Sequence, residues 1–154
     1  MVAGHDKITK EGKKFFAQLE ELAKMQVRVG FQHGDDKDDR GTDIADIAMW
    51  NELGTSNGIP SRPFMRQSVD NNADTIKAMC KAQIQAVATG KSTAKQALQQ
   101  IGVMQKGLVQ STIRDGDFEP NKPSTVKQKG SDRPLINTGR LRQSVSVTVA
   151  PRKG

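Results

Sequence analysis

The sequence predicts a single α+β domain, in which a small sheet carries helices on one face. Three features predict it. Two short segments, 26 to 32 and 145 to 149, alternate apolar and polar residues with period two. They lie near opposite ends of the chain. The longer stretches beside and between them repeat apolar residues at three- and four-residue steps. A chain of 154 residues supports one domain with a real core, and not comfortably two. The simplest fold pairs both strands in one sheet and packs the helices against it.

Residues 9 to 24 read as an amphipathic helix. Phe15, Leu19 and Leu22 share one stripe, with Phe16 and Ala23 beside it, and Gly12 weakens the first turn. The period then changes. Val27, Val29 and Phe31 alternate with Gln26, Arg28 and Gln32, as in a half-buried strand. Residues 33 to 42, HGDDKDDRGT, read as a flexible loop or hairpin tip without an apolar anchor. Their aspartates do not match the EF-hand spacing, so the loop predicts no metal site. His5 and His33 have no ligand-spaced partner and read as mobile, solvent-exposed side chains.

The stretch from Ile44 to Arg66 holds the densest punctuation in the chain. Thr42 or Asp43 can cap a short helix to Leu53, whose buried stripe is Ile44, Ile47 and Ala48. Trp50 suits either the core or an interface, and the core is favoured, because a lean chain can hardly spare so large a ring. Gly54 suits a helix C-cap, where a left-handed conformation is needed. Pro60 and Pro63 hold the intervening residues extended, and Pro63 fits the first turn of the next helix.

That helix is expected to run from 63 to about 89, with Val69, Ala73, Ile76, Cys80, Ile84 and Val87 as a continuous stripe. Cys80 on such a stripe reads as a small core residue, not a nucleophile. Gly90 ends the helix. Ser92 is expected to cap a second arm from 92 to about 114, with Ala97, Leu98, Ile101, Met104 and Leu108 inward. The short break predicts a helical hairpin with arms of about 35 Å. Gly102 and Gly107 either weaken this arm or allow a close contact. Residues 115 to 136 read as a long flexible connector. Thr138 is placed to cap a short helix through Ser144, followed by the second strand and a loose basic tail at 150 to 154.

Composition bounds the function. Hydrophobic residues make up 34% and aromatics 4%, so the core is lean. Either partner subunits bury part of the apolar surface, or the helices and tails are long and solvated. The net charge of +7 admits nucleic acid, membrane surfaces or acidic proteins as partners, but no block of five positives concentrates it. One cysteine excludes an internal disulfide. No signal peptide is recognisable at the start, and no apolar run approaches the roughly 20 residues of a membrane span. A soluble chain, intracellular when made, with no membrane partner is expected. Catalytic motifs are absent, as is any recognisable nucleophile–base or acid–base pair, so neither an enzyme nor a cofactor is expected.

Two stretches carry a family resemblance. NELGT…IPSRPFMR, residues 51 to 66, resembles the N-E-F-G-T…I-P-x-R-P-F motif of small neck proteins of tailed bacteriophages. These are tail-completion or head–tail joining proteins, also described as minor tail or virion-morphogenesis proteins. KGSDRPLINTGRLRQSV, residues 129 to 145, is similar to that family's K-G-S-x-x-P-L-I-D-T-G-x-L-R-x-S ending, and the order is the same. Leu53 stands where the family has an aromatic residue, and Asn137 where it has Asp.

The resemblance implies a structural virion protein that completes the tail and joins it to the head connector. It implies a homo-oligomeric ring, a hexamer on the tail, through which DNA only passes. Its other partners would be the tail tube or terminator protein and the head-side connector or stopper. Its location would be the tail or neck of the virion, and the host cytoplasm during assembly. A closed ring needs two different patches per subunit. The expected interface residues are Glu52, Thr55, Ile59, Arg62, Phe64, Arg133 and Arg140, with Arg62 offering a forked donor to a neighbour's carboxylate. Helix ends explain Gly54, Pro63 and Thr138, and packing explains Phe64; Glu52 and Arg62 have no such explanation in the sequence. Asp35, Asp36, Asp38 and Asp39 would face the channel and keep DNA from adhering. The alternatives are a tail terminator and a basic nucleic-acid-binding module, though the chain lacks stacking aromatics and any known nucleic-acid-binding signature.

Overall fold

The computed structural model describes residues 7–116, 118 and 139–153. The chain is α+β. Helix α1 (Lys10–Lys24) runs directly into strand β1 (Met25–Gly30). Helices α2 (Ile44–Leu53), α3 (Phe64–Asp70), α4 (Ala73–Ala88) and α5 (Ala94–Asp115) follow. The short helix α6 (Arg140–Gln143) leads into strand β2 (Ser146–Pro151). The two strands form one antiparallel sheet, with Val27 opposite Val149 and Val29 opposite Val147.

Helices α1, α2 and α5 start where local chemistry dictates. Thr9 accepts the Gly12 N–H at 3.0 Å, and Asp43 accepts the Ala45 N–H at 2.9 Å. Thr93 and Gln96 form a reciprocal capping box on α5. The cap there is thus Thr93 and not Ser92, because only Thr93 has a glutamine three residues on.

The expected continuous helix over 63–89 is broken. The break falls at Asn71 and Asn72, between α3 and α4. The Asn72 side chain donates to the Ser68 carbonyl at 2.9 Å, a local bond that competes with helix continuation. The break turns the apolar stripe out of register, so Val69 and Ile84 are exposed and only Val87 of the stripe is fully buried. Cys80 is half-buried. The arms are unequal: 16 residues in α4 make about 24 Å, and 22 in α5 about 33 Å.

Helix α5 is the centre of the fold, packing against α1, α3, α4, α6 and both strands. Its buried face is Ala94, Ala97, Gly102, Val109 and Ile113. The expected inward residues Leu98, Ile101, Met104 and Leu108 are only half-buried. The core joins Val109 and Ile113 to Ile44, Ala48, Phe64, Leu141 and Val145. Phe31 meets Phe64 edge-on, with centroids 5.9 Å apart. The basic tail is not loose at its start: Ala150 and Pro151 belong to β2, and the Arg152 N–H donates to the Lys24 carbonyl at 2.7 Å.

Candidate functional site

The motif from Asn51 to Phe64 builds one compact corner. Gly54 ends α2 at φ +74°, and a Cβ there would meet the Ser61 nitrogen at 3.0 Å. Only glycine fits both the conformation and the space. The chain then closes a small loop. The Thr55 N–H donates to the Ile59 carbonyl at 2.9 Å, and the Thr55 hydroxyl accepts the Ile59 N–H at 3.2 Å. Ser61 returns to α2 by donating its hydroxyl to the Glu52 carbonyl at 2.9 Å.

Glu52 and Arg62 now have structural reasons. The Glu52 carboxylate accepts the N–H groups of Met65 at 2.8 Å and Arg66 at 3.1 Å. It therefore caps α3 from the end of α2, where Pro63 supplies no side-chain cap. Arg62 is only 6% exposed. Its guanidinium donates to the Asn51 side-chain oxygen at 3.1 Å, and its backbone N–H to the Asn51 carbonyl. The expectation that Arg62 reaches for a neighbour's carboxylate is overturned by this burial. Phe64, also expected at an interface, has no exposed surface and belongs to the core.

The closing motif joins the same core through Leu141 and Val145. Arg140 reaches the acidic loop, donating to Asp39 at 3.2 Å and to the Lys37 carbonyl, and lying 3.9 Å from Asp36. The Ser144 hydroxyl donates to Asp36 at 2.8 Å. The acidic loop thus has an anchor that its own sequence does not reveal. Asp38 accepts the N–H groups of Arg40 and Thr42, and the Thr42 bond above all holds its carboxyl below the ordinary value. Asp43 is lowered likewise, first by the Gly34 N–H and then by that of Ala45. His33 stays exposed but lies 3.3 Å from Asp43 and 3.5 Å from Asp46, so it has partners that its sequence spacing does not suggest. Of the four aspartates expected to face a channel, Asp35 alone lacks a side-chain partner among the described residues. Arg133 and Thr138 lie outside the described residues.

With Arg62 and Phe64 turned inward, the apolar side chains that stay uncovered in this region include two others of the motif, Leu53 and Ile59. Helix α2 buries Ile44 and Ala48 on one side and presents Met49, Trp50 and Leu53 on the other. Leu53 is 66% exposed and Trp50 37%, so of the two positions open to Trp50 the favoured one, in the core, is corrected. These three positions span about 100° of the helix, opposite the buried pair. Ile59, partly exposed, sits on the loop pinned to the end of α2. A helix apolar on both sides is ordinarily buried on both. Sequence reasoning missed this face because the helix pattern cannot say which of two apolar sides meets the core.

Among the described residues, no three His, Cys, Asp or Glu side chains converge as metal ligands would. No described helix is long and apolar enough to cross a membrane. Comparison with known protein families, curated proteins and solved structures finds no match to this chain.

Proposed function

We propose that this chain is a structural subunit of a tailed-phage neck, completing the tail and joining it to the head connector as one of a ring of copies. The observation that carries the reading is the outer face of α2. Met49, Trp50 and Leu53 form an apolar surface that the described residues leave uncovered, beside Ile59 on the motif loop. Exposed apolar patches of this kind mark protein contacts. The resemblance of residues 51 to 66 and 129 to 145 to neck proteins says which assembly would use it. Such a part acts by shape and adhesion and asks for neither a catalytic pair nor a cofactor.

The corner described above gives the motif a physical purpose in that role. Glu52, Gly54, Arg62 and Phe64 set the angle between α2 and α3, and so fix the surface that a partner meets. The test is electron microscopy of phage particles made without this gene. Full heads beside separate tails of normal length are expected. Tails of uncontrolled length would move the protein to the terminator role. Intact virions would overturn the joining role and leave the basic nucleic-acid-binding reading.

A further inference from the structure

The sheet has two strands, so each strand has one neighbour and one open edge among the described residues. The register says which groups line those edges. The Arg152 N–H donates to the Lys24 carbonyl, which makes 24 and 152 a hydrogen-bonded pair. Pairs alternate along an antiparallel ladder, so 26 with 150, 28 with 148 and 30 with 146 also bond within the chain. Val27 and Val29 on β1, and Val147 and Val149 on β2, then point their N–H and C=O groups away from the partner strand. No described residue meets those groups. Neither edge carries a charge or proline at these four positions, although such residues are the usual guard of an open edge.

We propose that a second copy of this chain covers each edge, β1 of one copy pairing antiparallel with β2 of the next. The two edges match in number and spacing. In the register Val27 opposite Val149 and Val29 opposite Val147, all eight outward groups are used. The side-chain alternation continues across the seam, valines toward α5 and polar residues toward solvent. Charge disfavours a two-fold pairing of β1 with β1, and a two-fold pairing of β2 with β2 would leave the β1 edge open. Each strand edge contributes one charged side chain at most, Arg28, and it falls opposite Thr148. Pairing β1 with β1 through both valines would set Arg28 against its own copy, an unfavourable like-charge pair. A head-to-tail contact repeats from copy to copy and closes into a ring where the rotation allows. This deepens the ring reading above, on which its biological setting rests, by naming the seam.

The test uses purified full-length protein, so its failure removes the seam and leaves the neck role to the particle experiment. Two variants are made on a Cys80→Ser background: Arg28→Cys and Thr148→Cys, both at exposed positions. In the seam these positions form a non-hydrogen-bonded pair with Cα atoms about 4.5 Å apart, a separation that a disulfide accepts. Keeping the two cysteines on separate chains excludes a bridge within one sheet. Mild oxidation of the mixture is expected to give the mixed 28–148 dimer as the dominant product. Adding Val27→Pro to the Arg28→Cys chain removes an outward donor but no bond within the chain, and is expected to reduce that dimer strongly. Statistical amounts of the three possible dimers, or dominance of 28–28 or 148–148 bridges, would overturn the proposal.

Discussion

Two glycines on one helix should respond to alanine with opposite sign. Gly107 faces open space, with nothing within 4 Å of a Cβ built on it. Gly107→Ala should therefore express helix propensity alone and stabilise by about 0.5–1 kcal/mol. A Cβ on Gly102 would lie 2.7 Å from a Val27 methyl and closer still to one of Val147. Ordinary carbon contacts begin at about 3.5 Å, so the Val27 contact alone requires the sheet to retreat from α5 by about 0.8 Å, and the Val147 contact requires more. The valines cannot turn away freely, since branching at Cβ restricts their rotamers. Overpacking of this kind costs about 1–3 kcal/mol, more than the propensity gain. Gly102→Ala is expected to lose about 1–2 kcal/mol net, lowering Tm by about 2–4 °C per kcal/mol in a chain of this size. Circular dichroism melts and urea titrations of both variants and the double variant measure it. The sites face different sides of α5, so the effects should add within about 0.5 kcal/mol. A Gly102→Ala protein as stable as Gly107→Ala would refute the close helix–sheet contact, and with it the position of the sheet.

Removing the carboxylate that caps α3 should cost about 1 kcal/mol for Glu52→Gln, which keeps one acceptor, and about 1–2 kcal/mol for Glu52→Ala; urea midpoints of the two variants read this directly. Asp38 and Asp43 have carboxyl pKa values below the ordinary 3.8. The unfolded chain therefore binds more protons in acid, so their contribution is full above that value and is lost as pH falls below it through the native pKa values. Melts of the Asp43→Asn variant should show a shallower loss of stability between neutral pH and strong acid than the parent. Leu53→Lys alters an exposed position and should change stability by no more than about 0.5 kcal/mol. Phage carrying it are expected to accumulate unjoined heads and tails, and wild-type particle yield would remove α2 from the joint.

The legible parts of the fold were those encoded locally. Asp43 and Gly54 announce helix ends by their own chemistry, and the valine alternation of both strands needs no tertiary knowledge. The Asn71–Asn72 break was present in the residues too, but six apolar positions at helical spacing outweigh two asparagines in a pattern reading. What no pattern could show was reach. Glu52 caps a helix that begins twelve residues later, Arg140 anchors a loop about a hundred residues before it, and Gln18 accepts the first N–H of α5 at 2.7 Å. None of these partners lies within a turn, so spacing carries no trace of them. Gly102 is the same case: its reason is the sheet packed against it, assembled from both ends of the chain.

The motif residues changed meaning for a physical reason. Arg62 looked like a surface donor because an arginine between two prolines has no local partner. A buried arginine without a partner would be very costly, so once the fold places it at 6% exposure its bonds must be found inside. Asn51 supplies one through its side chain and also binds the same residue's backbone. Glu52, next to it, holds the following helix by its free N–H groups. A short sequence that fixes a corner this tightly leaves no side chain of Arg62 or Phe64 for a partner, so in the proposed neck role the interaction surface comes from what the corner positions. That surface is the outer side of α2. Of its residues only Leu53 belongs to the motif, and the described residues leave Met49, Trp50 and Leu53 uncovered. In that proposed role the motif acts at one remove, through the helix it aims.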